Sequence, residues 1–443
     1  MALSTKIAVV GSGISGLALA YSLSKTFQVK LFEKQDRFGG HSNTINVNLE
    51  GRSIPVDTGF IVFNTKNYPN LTSLFNHLKI TTKLSDMSFG FSSGNGKLEY
   101  SGRSLNTLFA QRRNLLNIRF VNGLRDILRF NREAPIDLAE GKLIDLSLGD
   151  YLRQKRYGKW FAEQFILPMG GAIWSSPAYK ILAFPAINFV SFFQNHGLLR
   201  GMADTLQWRT IDGGARVYVD KITKKIGSRA FSNSNVQEIE RVKDGVSLRF
   251  SDGVSEKFDQ VIICTHAPQA AQILLGKTHK EKELLKSFKV SKNKVVVHSD
   301  KTLMPYTKKA WSSWNFVSPG WLGDSNQRSS VTYWMNRLQG IDKSYPIFVS
   351  LNPLSAPADE AIHAEFDYYH PIFDKNSFDA QKQMDEIQGN GGVWYAGAWL
   401  GYGFHEDGLV AGLRVAKALG VEPNWAIKNI KDFIKNRTLE AAE

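Results

Sequence analysis

Near its start the chain carries a short apolar run, Ile7 to Val10, that stops at Gly11; a second run of alternating character ends in an acid, Glu33. Four apolar residues cut off by a glycine predict a strand buried on both faces. Between these runs, residues 14–23 are apolar almost throughout, which predicts a buried helix. Strand-like pieces follow at 44–49 and 53–56, and a helix at 68–78. From about residue 86 to 201 the pattern changes to helices rich in aromatic and basic residues, among them 115–129 and 146–156. Strand periodicity returns at 236–241, 246–250 and 260–264, and again at 295–299, 330–335 and 347–351. A last apolar strand begins at Val393, a helix is expected at 409–419, and the tail beyond Glu422 is expected to be helical.

This alternation predicts an α/β chain with two interleaved domains. Residues 1–80, 205–285 and 386–425 are assigned to a Rossmann-like dinucleotide-binding domain, 81–204 and 286–385 to an α+β substrate domain, and 426–443 to a C-terminal tail.

The first assignment rests on chemistry as well as period. Gly11, Gly13 and Gly16 form G-x-G-x-x-G at the junction of strand and helix. Gly11 permits the tight turn, Gly13 leaves room for a pyrophosphate against the backbone, and Gly16 lets helix and strand approach. The helix that starts there, with Ser15 in its first turn, presents free N–H groups to a phosphate. Glu33 stands twenty residues after Gly13, where a carboxylate accepts both hydroxyls of an adenosine ribose and disfavours a 2′-phosphate.

Composition adds bounds. With 443 residues, 43% of them apolar and 12% aromatic, the chain can fill more than one core. Cys264 is the only cysteine, which excludes an intrachain disulfide and any cysteine-based metal site. No metal is expected. The first strand begins after five residues, so no secretory leader is expected, and the cysteine usage fits a reducing cytoplasm. The net charge of +14 implies a field that attracts anions; basic clusters lie at Arg112-Arg113, Arg153 with Lys155-Arg156, Lys221 to Lys225 and Lys308-Lys309. An anionic membrane surface is one expected partner, a nucleic acid is not. No apolar run is long enough to cross a bilayer; residues 181–193, the nearest approach, are interrupted by Pro185 and Asn188. Core and lipophilic channel wall are both open readings of that stretch.

Further positions favour one large cofactor. Arg37, Gly39 and Gly40, close behind Glu33 and Lys34, place a cation and two residues without Cβ near the pyrophosphate. Gly59 and Phe60 end a strand where a flat ring can lie against backbone. Gly397 ends the last strand, and Glu406 and Asp407 lead into a helix whose N–H groups can face a ring carbonyl.

On these motifs the chain resembles the flavin-containing amine oxidoreductase superfamily, which includes monoamine oxidases, protoporphyrinogen oxidases and phytoene desaturases. The resemblance assigns Gly11, Gly13, Gly16, Glu33, Arg37, Gly39 and Gly40 to the N-terminal FAD motif, and Asp212-Gly213-Gly214 to a central glycine pair. It assigns Val236 to the backbone contact with adenine, and Gly397 with the His405 to Gly408 segment to the C-terminal flavin motif. The segments HSDKTLMP (298–305), WSSWNF (311–316), TYWMNRLQ (332–339), SLNP (350–353) and GAWLGYGFHEDGL (397–409) are similar to a group of bacterial NAD/FAD-binding proteins whose genes accompany cyclopropane fatty-acid synthases.

That resemblance implies non-covalent FAD, since Cys264 is not in the late motif that tethers flavin in monoamine oxidases. It also implies oxidation, specifically desaturation, of a lipophilic substrate such as a fatty-acyl chain, by hydride transfer to flavin N5. His405 stands where amine oxidases present an aromatic ring, which counts against amine oxidation. It is the candidate base, because a neutral imidazole takes a proton near pH 7; a purely flavin-binding role is the open alternative. His298, His370 and Lys294 are weaker candidates. Among Trp311, Trp314, Tyr333, Trp334 and Trp399, the substrate residues are taken to be Trp314, Tyr333 and Trp399, although rings at strand spacing are usually core. The alternative functions are a soluble flavin amine oxidase and a non-catalytic flavoprotein partner of a lipid-modifying enzyme. The expected location is cytoplasmic, with peripheral contact to the inner face of the membrane.

Overall fold

In the computed structural model, residues 5–199, 206–320 and 328–427 are described. A five-stranded parallel sheet is assembled from distant pieces of the chain, in the order Ala230–Phe231, Gln28–Phe32, Lys6–Val10, Gln260–Ile263 and Val393–Tyr395. Its central strand explains the unbroken apolar run. Ile7 and Val9 face a core that contains the Ile14–Leu23 helix, and Ala8 and Val10 face a second core under the Val236–Val242, Gly245–Phe250 and Ser255–Phe258 strands. Each side chain is at most 6% exposed, so neither face tolerates a polar residue.

The helix His405–Ala418 lies against Ile14–Leu23 through small residues. A Cβ on Gly412 would stand 2.9 Å from the Ser15 carbonyl oxygen, and one on Gly408 would stand 2.9 Å from the Ile14 side chain. This close approach sets the start of the C-terminal helix beside the glycine turn.

A second, seven-stranded sheet runs Ile362–Ile372, Lys289–His298, Phe348–Leu351, Ser330–Trp334, Trp314–Ser318, Phe89–Ser93 and Leu98–Ser101; its pairs are antiparallel except Trp314–Ser318 with Phe89–Ser93. The helices Ile118–Ala139, Leu148–Gln154, Leu167–Trp174 and Ala186–Asn195 share the core beside it. The architecture is a mixed α/β fold with a Rossmann-like parallel sheet and a separate substrate-side sheet covered by helices. The apolar stretch 181–193 belongs to this core. Phe184, Phe189 and Phe193 are buried, and the stretch is interrupted at Pro185 as expected: one helix ends at Ile181 and the next, Ala186–Asn195, starts directly after the proline. Among the described residues no helix is long and apolar enough to cross a membrane. The expected helix beyond Glu422 falls mostly outside the described residues, which end at Ile427.

Candidate active site

The glycine turn is organised around Glu33. Its carboxylate accepts hydrogen bonds from the Ser12 N–H at 3.0 Å, the Ser12 hydroxyl at 2.6 Å and the Gln35 N–H at 3.0 Å. Gly11 has φ +101, a conformation that L side chains rarely adopt. A Cβ on Gly16 would stand 1.9 Å from the Gly11 carbonyl oxygen, whereas one on Gly13 would meet nothing within 4 Å. Gly16 is therefore needed by the chain's own packing, and Gly13 faces open space in front of the helix N-terminus. Gly39 and Gly40, with φ +112 and +58, fold the next loop back over the turn; the Gly39 N–H donates to the Ser12 carbonyl, and Arg37 Nη1 donates to the Gly40 carbonyl at 2.9 Å. The arrangement is a cradle that can hold a diphosphate, with Lys34 and Arg37 as the nearby cations.

A cavity of about 2620 Å³ begins at this cradle and runs into the substrate side. Ordinary small-ligand pockets hold roughly 300–1,000 Å³, so this one has room for an extended dinucleotide and a substrate together. Gly11, Gly13, Ser15, Glu33, Lys34, Arg37, Gly39, Gly40, Gly59, Phe60, Val236 and Gly397 all line it. Gly16 does not; its place is behind the turn.

His405 lines the same cavity farther along, stacked on Phe60 with ring centroids 3.7 Å apart and planes 9° from parallel. Its Nε2 lies 2.9 Å from both the Ser42 hydroxyl and the Tyr218 hydroxyl. Burial lowers its pKa to about 3. The ring is thus neutral at pH 7 but weakly basic, which removes the reason for choosing it as a proton acceptor near neutrality. Its stacking and its Nε2 contacts fit a positioning group.

Glu406 and Asp407 are turned away from the cavity. Glu406 is fully buried and accepts the Asn70 and Leu71 N–H groups, each at 2.9 Å, at the start of the Pro69–His77 helix. Asp407 accepts the Phe404 N–H at 2.9 Å and caps its own helix. Both carboxylates act as helix caps, because unpaired N–H groups at a buried helix start need an acceptor. Any contribution to a cofactor comes from their backbone.

The proposed substrate residues divide. Trp314 and Tyr333 are cross-strand partners, edge to face at 4.9 Å, and both line the cavity. Trp399 also touches it, but its indole N–H donates to the Thr265 carbonyl at 3.0 Å and its ring packs on Phe288 in the core of the nucleotide side. Its indole N–H and its ring are thus held by the nucleotide-side core. Of the weaker candidates, His298 is buried against the Ser350 hydroxyl outside the cavity, and Lys294 is paired with Glu365 on the sheet. His370 does line the cavity, with a pKa lowered to about 4 by burial and then by His266.

His370 belongs to a group that sequence reasoning missed. His41 lies 5.2 Å from His370, 6.0 Å from His266 and 4.9 Å from Tyr368, measured between ring centroids. Burial, followed by His370 and His266, pulls the His41 pKa well down. His41 directly follows Gly40 and was within reach of the motif reading; His266, Tyr368, Ser42 and Tyr218 carry no local signal. Cys264 sits behind the turn, where a Gly16 Cβ would approach its Cβ to 3.4 Å, and burial raises its thiol pKa. Among the described residues no cluster can hold a metal ion.

A family model described as flavin containing amine oxidoreductase matches residues 14–341. The chain belongs to that family. It is accordingly a flavin-dependent oxidoreductase. Solved structures extend the likeness over 94% of the chain. They include a CLA-producing fatty acid isomerase from P. acnes (TM-score 0.67, 14% identity, 99% of that chain covered) and a putrescine oxidase bound to putrescine (0.65, 15%, 98%). A cyclohexylamine oxidase from Brevibacterium oxydans IH-35A gives 0.64 at 17% identity, with 98% of that chain covered. At such identities the likeness is one of fold. Sequence comparison with curated proteins gives no match.

Proposed function

We propose that this flavoenzyme holds FAD non-covalently and oxidises a long lipophilic substrate, such as a fatty-acyl chain, by removing hydrogen to leave a double bond. The observation that carries the reading is the apolar limb of the cavity beyond the Phe60–His405 stack, with Leu108, Phe109, Leu124, Ile127, Phe165 and Met169 on its walls. Of the carboxylates that line the cavity, Asp86 is paired with Arg337, Glu365 with Lys294 and Asp367 with Lys292, so these three are not free to hold a cationic amine. The same fold also serves a fatty acid isomerase.

In this reading Glu33 takes the adenosine ribose, the start of the Ile14–Leu23 helix takes the diphosphate, and the backbone at Val236 borders the adenine. Half-buried Cys264, its thiol pKa raised, stands at the glycine turn instead of beside the Phe60–His405 stack, and forms no tether. When bound, the flavin supplies a two-electron acceptor for a hydride at N5. Phe60 and His405 fix the ring's surroundings, Trp314 and Tyr333 orient the substrate C–H bond, and the apolar walls hold the acyl chain. The proton lost from the adjacent carbon passes to solvent, since neutral His405 is too weak a base to keep it. A cyclopropane-synthase-type lipid-modifying enzyme is the proposed metabolic partner.

Anaerobic mixing of the purified protein with fractionated acyl lipids tests the reading. Loss of flavin absorbance with lipids and none with simple amines is expected. Bleaching and peroxide release with amines alone would establish amine oxidation instead, and a flavin that no lipid or amine bleaches would favour a non-catalytic role.

A further inference from the structure

Large exposed apolar side chains scattered one by one are ordinary on a protein surface; their concentration in one place is not. Of fourteen such residues in the described structure, six fall between Leu105 and Leu128: Leu105, Leu115, Leu116, Ile118, Val121 and Leu128. They occupy the Leu105–Leu108 turn, the Arg112–Leu116 turn and the first half of the Ile118–Ala139 helix. Leu116 is 89% exposed and Ile118 76%, so the apex of this corner is its most apolar part.

The same stretch carries Arg103, Arg112, Arg113, Arg119 and Arg125, all exposed, against a single acid, Asp126. Asp126 is already engaged by Arg129 and by the Gly158 N–H. Arg112 and Arg113 donate to the Phe109 and Lys97 carbonyls, which hold the guanidinium groups in place without neutralising them. Among the described residues none of the five forms an ion pair with a carboxylate.

Leu105 and Leu128, at 64% and 69% exposure, also line the cavity. The Ile118–Ala139 helix therefore presents Phe120, Gly123 and Phe130 to the core, Leu124, Ile127 and Leu128 to the cavity, and Ile118, Val121 and Arg125 to the outside.

From this juxtaposition we infer that the 103–128 corner is a docking surface for an anionic lipid bilayer, with the cavity mouth opening at the interface. Leu115, Leu116 and Ile118 enter the acyl boundary, and the surrounding arginines meet headgroup phosphates. A second copy of the chain is a poor occupant, because it would bring five uncompensated arginines against five others. The inference deepens the lipophilic-substrate reading by naming where the substrate enters, yet it is measured by binding and not by turnover.

The test is flotation of the flavin-loaded protein with vesicles of phosphatidylcholine alone or mixed with phosphatidylglycerol. The protein is expected to float with the anionic vesicles, less so as salt is raised, and to stay below with phosphatidylcholine. The doubles Leu116→Asp/Ile118→Asp and Arg119→Glu/Arg125→Glu should each cut partitioning by about tenfold or more while keeping flavin content and melting temperature. Wild-type protein that ignores anionic vesicles, or variants that bind them equally well, would overturn the inference. So would a wild-type dimer that Leu116→Asp/Ile118→Asp converts to a monomer with vesicle binding unchanged. Vesicle binding with no bleaching by detergent-dispersed lipids would leave the surface standing and remove the substrate reading; the reverse result would do the opposite.

Discussion

Gly13 and Gly16 stand three residues apart in one turn and do different work. A side chain at 16 collides with the Gly11 carbonyl, whereas a side chain at 13 meets only the space in front of the helix. Gly16→Val should therefore lower both stability and flavin content. Gly13→Val should leave the melting temperature of the flavin-free protein nearly unchanged and abolish flavin binding; melting and flavin titration of the two variants check this, and equal loss of stability in both would contradict it. The histidines give a second expectation. In the flavin-free chain burial holds His266, His298 and His370 at about 4 and His405 at about 3, against an ordinary 6.5. On unfolding each takes up a proton, so their contribution is fully present above pH 6.5 and is lost as pH falls towards 4. Asp57, raised to about 7 by burial, acts with the opposite sign over much of the same range, but it is one group against four. The melting temperature of the flavin-free protein should thus fall between pH 7 and pH 5, less steeply in His405→Gln; a flat profile would contradict the burial assigned here. At this scale the glycines and Glu33 were legible, because their demands are local. The duties of His405 were not, since its partners Ser42 and Tyr218 lie 363 and 187 residues away in sequence.

The helices and strands show the same division. Glu406 caps the Pro69–His77 helix across 336 residues of sequence, a pairing that no spacing rule could find. With its carboxylate fully buried on two backbone N–H groups, Glu406→Ala should destabilise the protein by about 3 kcal/mol, and Glu406→Gln by less. Chemical denaturation measures both, and a change under ~0.5 kcal/mol in the alanine variant would remove the cap from the account. The long helix expected from residue 115 begins at Ile118, because the Asn117 side chain accepts the Arg119 and Phe120 N–H groups and leaves Leu115 and Leu116 outside. It also runs on through Pro135 to Ala139, where a proline argues for an earlier stop. The edge strand Ile362–Ile372 escaped notice, since its charged positions Glu365 and Asp367 and its Pro371 resemble a loop more than a buried strand.

Across the whole molecule, segments from both ends and the middle of the chain build one parallel sheet, and their loops meet at one end of a single cavity. The recurrence of apolar strands made that interleaving legible. The far walls of the cavity were not, because they come from helices whose inward residues look like any other core. We propose that these dispersed segments grip one FAD per chain without a covalent bond. Acid precipitation of the purified yellow protein decides this: the flavin should pass wholly into the supernatant, be identified there as FAD, and equal the chain in amount. A colourless protein that refuses FAD on reconstitution, or a flavin that stays with the precipitated chain, would contradict it.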